Sequence, residues 1–89
     1  MNETKRWNVD IVIDEEDDRT RAVARLHAGA TDQHAGVGLA RLNPADLDVP
    51  EIGDELATAR ALSELSHHLL DAAARDLEQV TQRRAHLRI

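Results

Sequence analysis

Between Trp7 and Asp14 the chain alternates, with Trp7, Val9, Ile11 and Ile13 on one side and Asn8, Asp10 and Asp14 on the other; Val12 is the apolar exception. A two-residue period marks a strand with one buried face, here predicted over about 6–14. Five acids in succession, Asp14-Glu-Glu-Asp-Asp18, repel one another and predict a solvated hairpin loop. Alternation resumes from Arg19 to His27, with Thr20, Ala22, Ala24 and Leu26 opposite Arg19, Arg21, Val23 and Arg25, and predicts the second strand. Ala28-Gly-Ala-Thr-Asp32 reads as a turn, because Gly29 tolerates positive φ and Asp32 can bond its own backbone. A third strand is predicted over about 33–42. Its Gly36 and Gly38 weaken it and imply a bulge or the close approach of another backbone.

Asn43-Pro44 ends that strand; Asp48-Val-Pro-Glu51 resembles a capped helix start, and Gly53-Asp54-Glu55 offers a second and better one. Beyond it, Leu56, Ala59, Leu62, Leu65, Leu69, Ala73, Leu77 and Val80 advance by three or four residues, the stripe of an amphipathic helix over about 54–81. Glu64, His67, His68, Asp71, Arg75 and Glu78 occupy the other side. The predicted fold class is α+β, a three-stranded antiparallel sheet followed by one long helix (β-β-β-α) in a single domain of 89 residues. Such a helix spans about 42 Å, against about 26 Å for an eight-residue strand. It therefore overruns the sheet. Either it breaks around 71–76 or its far half packs on another copy, and Leu69, Leu70, Leu77 and Val80 are the candidate dimer residues. The segment 82–89 is basic and expected to be a loosely held tail.

Composition sharpens the case for association. The 42% hydrophobic fraction includes 14 Ala, one Trp and no Phe or Tyr, leaving 21 large aliphatics: 11 Leu, 6 Val and 4 Ile. A core this thin in so short a chain commonly needs subunit association, disulfides or metal. There is no Cys, which excludes disulfides, thiol catalysis and thiolate zinc sites. No apolar run reaches the roughly 18 residues of a membrane span, and Met1-Asn-Glu-Thr-Lys-Arg6 leads into no signal-peptide core, so a soluble cytoplasmic protein is expected.

Pairing Ile13 with Thr20 would gather Trp7, Val9, Ile11 and Ile13 with Ala22, Ala24 and Leu26 on a core face covered by the helix. The outward face then carries Asp10 and Asp14 beside Arg19, Arg21 and Arg25. These arginines read either as a phosphate-contacting stripe, the candidate nucleic-acid site, or as a cross-strand ladder neutralised by the acids. A net charge of −6 weighs against phosphate polymers, and one Trp makes no base-stacking platform. His27 and His34, even helped by Asp32, make a sparse mixed ligand set, and the acidic loop lacks a calcium-loop pattern. No metal or cofactor is expected. His67 and His68 lie about 100° apart on a helix, and Ser63 and Ser66 sit in no nucleophile elbow, so no enzyme is expected.

The run Val37-Gly-Leu-Ala-Arg-Leu-Asn-Pro-Ala-Asp46, then Val49-Pro-Glu-Ile-Gly-Asp-Glu-Leu56 and Ala59-Arg-Ala-Leu62, resembles an actinobacterial family of small proteins of unknown function. The similarity extends over Val9–Ile13, Thr20–Leu26 and Asp76–Thr81, hence nearly the whole chain. It implies a dimeric variant of the double-stranded-RNA-binding fold and kinship with hypoxia- and dormancy-induced proteins likened to ribosome hibernation factors. RNA-binding domains of that shape are basic at the opening of the last helix, where this chain has Asp54 and Glu55. The expected function is a nonenzymatic homodimeric stress protein that associates with the ribosome; the alternative is a protein-interaction module that never touches nucleic acid.

Overall fold

The computed structural model describes residues 2–29, 34–41 and 49–87, the side chains of 84–87 excepted. Strands β1 (Asn8–Glu16), β2 (Arg19–His27) and β3 (Ala35–Arg41) form an antiparallel sheet in the order β1-β2-β3, and α1 (Pro50–Leu87) follows. The predicted α+β class and β-β-β-α order are those of the molecule. Asp32, Gln33, Leu42, Asn43, Pro44 and Asp48, to which a turn, strand ends and a helix cap were assigned from sequence, lie outside the described residues.

The first hairpin is tighter than the acidic run predicts. β1 continues through Glu16, and the turn is Asp17-Asp18, with Asp17 at φ 56°, a left-handed conformation that Asp tolerates. Cross-strand placement explains the gain: Asp14 lies opposite Arg21 and Glu16 opposite Arg19, so repulsion along the strand is offset across it. Ile13 consequently pairs with Ala22 and Glu15 with Thr20, a two-residue departure from the expected Ile13–Thr20 pairing. An even shift leaves every side chain on its predicted face. Gly29 takes φ 86°, the positive value its turn position called for.

Helix α1 begins at Pro50, the earlier of the two candidate starts, where a missing N–H costs no helical bond. It runs unbroken for 38 residues, through 71–76 and most of the expected tail, about 57 Å of rod. Gly53 is an interior contact point and no helix start: a Cβ there would meet Thr20 Oγ1 at 2.9 Å.

The helix meets the sheet along a line that the leucine stripe does not predict. Gly53, Ala57, Ala61 and Leu65, four residues apart, are buried, whereas Leu56 and Leu62 are exposed. Opposite them lie Gly36 and Gly38, where an added Cβ would overlap Ala61 O and Leu65 N, or Ala57 O and Ala61 N. Two glycines thus admit the helix backbone directly onto β3, and small residues on both elements follow from that approach. The core is Ala22, Ala24, Leu26, Ala40, Ala57, Ala61 and Leu65 with Thr20, and Leu69 packs against it half-buried.

Seated over β2 and β3, the helix barely reaches β1. The expectation that it covers Val9, Ile11 and Ile13 is therefore corrected: they are 41%, 39% and 40% exposed, and Trp7 is more exposed still. The molecule measures 65 × 29 × 19 Å with a radius of gyration of 18.5 Å. A compact chain of 89 residues would have a radius near 12 Å. It exposes 7659 Å², where a compact monomer of 9.9 kDa exposes about 5,200 Å².

Candidate functional site

The outer sheet face is built by cross-strand rows. Arg25 lies between Asp10 and Ala35, Val23 between Val12 and Val37, Arg21 between Asp14 and Leu39, and Arg19 between Glu16 and Arg41. The three arginines singled out from sequence therefore share one face, and Arg41 joins them at its hairpin end. Each of the three has an acid at the opposite β1 position. Contacts of opposite sign here include His27 Nε2 to Asp10 Oδ2 at 2.7 Å, an ion pair when the imidazole is protonated, and Arg41 Nε to Asp18 Oδ2 at 3.7 Å. An open depression of about 640 Å³ at the hairpin end is lined by Asp14, Glu16, Asp17, Asp18, Arg19, Arg21, Leu39 and Arg41. A ligand there meets both signs of charge in close alternation. Among the described residues no three His, Cys, Asp or Glu side chains gather into a metal-sized group.

The other surface is apolar. Of the four residues assigned from sequence to a dimer interface, Leu69 packs against the core margin, while Leu70, Leu77 and Val80 are exposed on the part of α1 beyond the sheet. Leu77 at 67% and Val80 at 45% exposure touch no core. The structure adds Val9, Ile11, Ile13 and Leu62 to this apolar set; sequence reasoning had placed all four in the interior.

The two sheet edges are treated differently. Along β3, Arg60 Nη1 donates to Leu39 O at 2.6 Å, the Val37 N–H donates to Glu64 Oε2 at 3.1 Å, and His68 Nδ1 donates to Ala35 O at 2.7 Å. Three side chains one helical turn apart thus take one outward-facing group on each of Ala35, Val37 and Leu39. Because Val37 and Leu39 turn these groups away from β2, the alternation of an antiparallel ladder leaves the outward groups of β1 on Val9, Ile11 and Ile13. Sequence reasoning missed this clamp, although the spacing of Arg60, Glu64 and His68 was its signal. On the helix, His67 Nδ1 contacts the main-chain oxygen of Ser63 at 2.8 Å.

Comparison with known proteins now fixes the kinship, since the family model described as Rv2632c-like matches residues 5–86. The chain belongs to the Rv2632c-like family. The uncharacterized protein Mb1767 of Mycobacterium bovis is 54% identical over 83 residues, 93% of this chain and 87% of that one. The uncharacterized protein Rv2632c of Mycobacterium tuberculosis is 53% identical over 77 residues, covering 86% of this chain and 82% of its own length. The crystal structure of Rv2632c matches with a TM-score of 0.82 at 51% identity, over 90% of this chain and 94% of that one. The Rv2632c-like family thus shares this fold as well as this sequence. No helix among the described residues is long and apolar enough to cross a membrane.

Proposed function

We propose that this chain works as a nonenzymatic homodimer of the stress or dormancy type that acts by associating with the ribosome. The observation that carries the homodimer is the uncovered apolar surface formed by Val9, Ile11 and Ile13 together with Leu77 and Val80. A helix half that leaves Leu77 and Val80 exposed to water gains by burying them against a partner. The double-stranded-RNA-binding-like fold and the ribosomal target rest on the resemblance to hibernation-type proteins, and Arg19, Arg21 and Arg25 on one solvent-facing sheet surface supply cations for phosphate contact. A second reading, a protein-interaction module without nucleic acid, is favoured by the acids facing each of those arginines.

Co-sedimentation with ribosomes separates the two. Ribosome association requires that the protein pellet with ribosomes at low salt, that rising salt release it, and that Arg21→Glu with Arg25→Glu remain in the supernatant as an intact dimer. Failure of the wild-type protein to pellet at low salt removes the ribosomal mechanism and leaves the second reading.

A further inference from the structure

Resting on that homodimer reading, we infer that the distal half of α1 from one copy docks on the β1 face of the other, antiparallel to the receiving helix, with Leu62 of each copy against Val80 of its mate. The geometry of α1 indicates where the receiving site lies. Arg60, Glu64 and His68 reach the outer edge of β3, so that flank of the helix overhangs β3. The opposite flank, which carries Leu62 and Leu69, overhangs β1. Between this flank and the free edge of the sheet lies a channel floored by Val9, Ile11 and Ile13, all about two-fifths exposed. A second helix at the usual interaxial distance of about 8–10 Å from α1 rests directly over that floor.

The occupant is argued from three features of the chain itself. First, the flank bearing Leu62 and Leu69 continues beyond the sheet through Ala73, Leu77 and Val80 at steps of four, four and three, so the receiving surface and the unpartnered one are a single apolar line along one helix. A two-fold axis near residue 71 closes that line on itself: Leu69 meets Ala73, and Leu62 meets Val80. Second, the lengths agree. The helix beyond the axis, residues 72–87, is about 24 Å long, enough to cover the roughly 13 Å from Val9 to Ile13. Third, the charges are complementary. The hairpin end of the sheet and the start of α1 carry Asp14, Glu16, Asp17, Asp18, Glu51 and Glu55 against Arg19, Arg21 and Arg41, an acid surplus, whereas the far end of α1 carries Arg83. Antiparallel docking brings the basic end of each copy to the acidic end of the other; parallel docking would set acids against acids. Each distal half then completes the other protomer's interior, and two sheets lie side by side beneath two helices.

The chain has no Cys, so introduced thiols report proximity without interference. Copies carrying Leu62→Cys are mixed with copies carrying Val80→Cys, exchanged by dilution and reconcentration, and oxidised. The expected result is a reductant-sensitive covalent dimer in the mixture, none from either variant alone, and none when Leu39→Cys on the outer sheet face replaces Leu62→Cys. Light scattering of the wild-type chain at the same concentration completes the test. A dimer by scattering with no selective Leu62–Val80 link overturns this docking while the homodimer reading stands. A monomer overturns both.

Discussion

At the residue scale, the fold depends on what two positions lack. Gly36 and Gly38 each leave space that a methyl group would take from the backbone of α1. Gly36→Ala or Gly38→Ala must push the helix off the sheet or bend β3, and a loss of about 1–3 kcal/mol or more in urea unfolding is expected. Gly29→Ala is the informative control: nothing lies within 4 Å of its added Cβ, and its φ of 86° leaves only the left-handed penalty, about 1 kcal/mol. An equal loss at all three sites would mean that close approach is not what Gly36 and Gly38 serve. These glycines were legible in the sequence as a place where another backbone comes near. Their counterparts Ala57 and Ala61 were not, because leucine marks a buried stripe more strongly than alanine does. Where two backbones touch, the smaller side chain wins the contact and the leucines are displaced to the flanks.

At the element scale, the alternation in β1, β2 and β3 told which residues share a face, and that assignment survived a register two residues from the expected one. What alternation does not report is which part of a face the helix covers. That choice followed from the small residues of β2 and β3, and it left β1 bare. The clamp on β3 was equally hidden, since Glu64 and His68 read as ordinary residues of the polar helix face, and Arg60 drew no notice, until the neighbouring strand is in place. Glu64→Ala should remove the acceptor for the Val37 amide; hydrogen exchange at Val37 is expected to accelerate, with about 0.5–1.5 kcal/mol lost in stability. Unchanged Val37 exchange would show that the contact is not held in solution.

At the scale of the whole molecule, the surplus surface is the dominant fact. An excess of about 2,500 Å² over a compact monomer exceeds the roughly 800 Å² that one partner contributes to a standard interface. The distal half of α1 leaves Leu77 and Val80 exposed, and isolated helices of its length are marginal in water. Dilution is therefore expected to lower helical circular dichroism at 222 nm while the sheet signal persists. Leu77→Asp with Val80→Asp should produce the same state at high concentration. Trp7, the single aromatic residue, sits just before exposed β1, and its emission should shift to longer wavelength as protomers separate. The mismatch between helix and sheet was legible from length alone, and continuity through 71–76 resolves the broken-helix alternative. The direction of the proposed docking was not legible in the sequence, because it depends on which flank of α1 faces β1.

The unequal sheet edges have one more consequence. A strand with open hydrogen-bonding groups on both sides of its sheet can recruit copy after copy and grow into a fibre. Here Arg60, Glu64 and His68 take one group on each of three β3 residues and lie across that margin, so strand addition is favoured at β1 and disfavoured at β3. A polymer lengthens poorly through a unit whose second side is hindered.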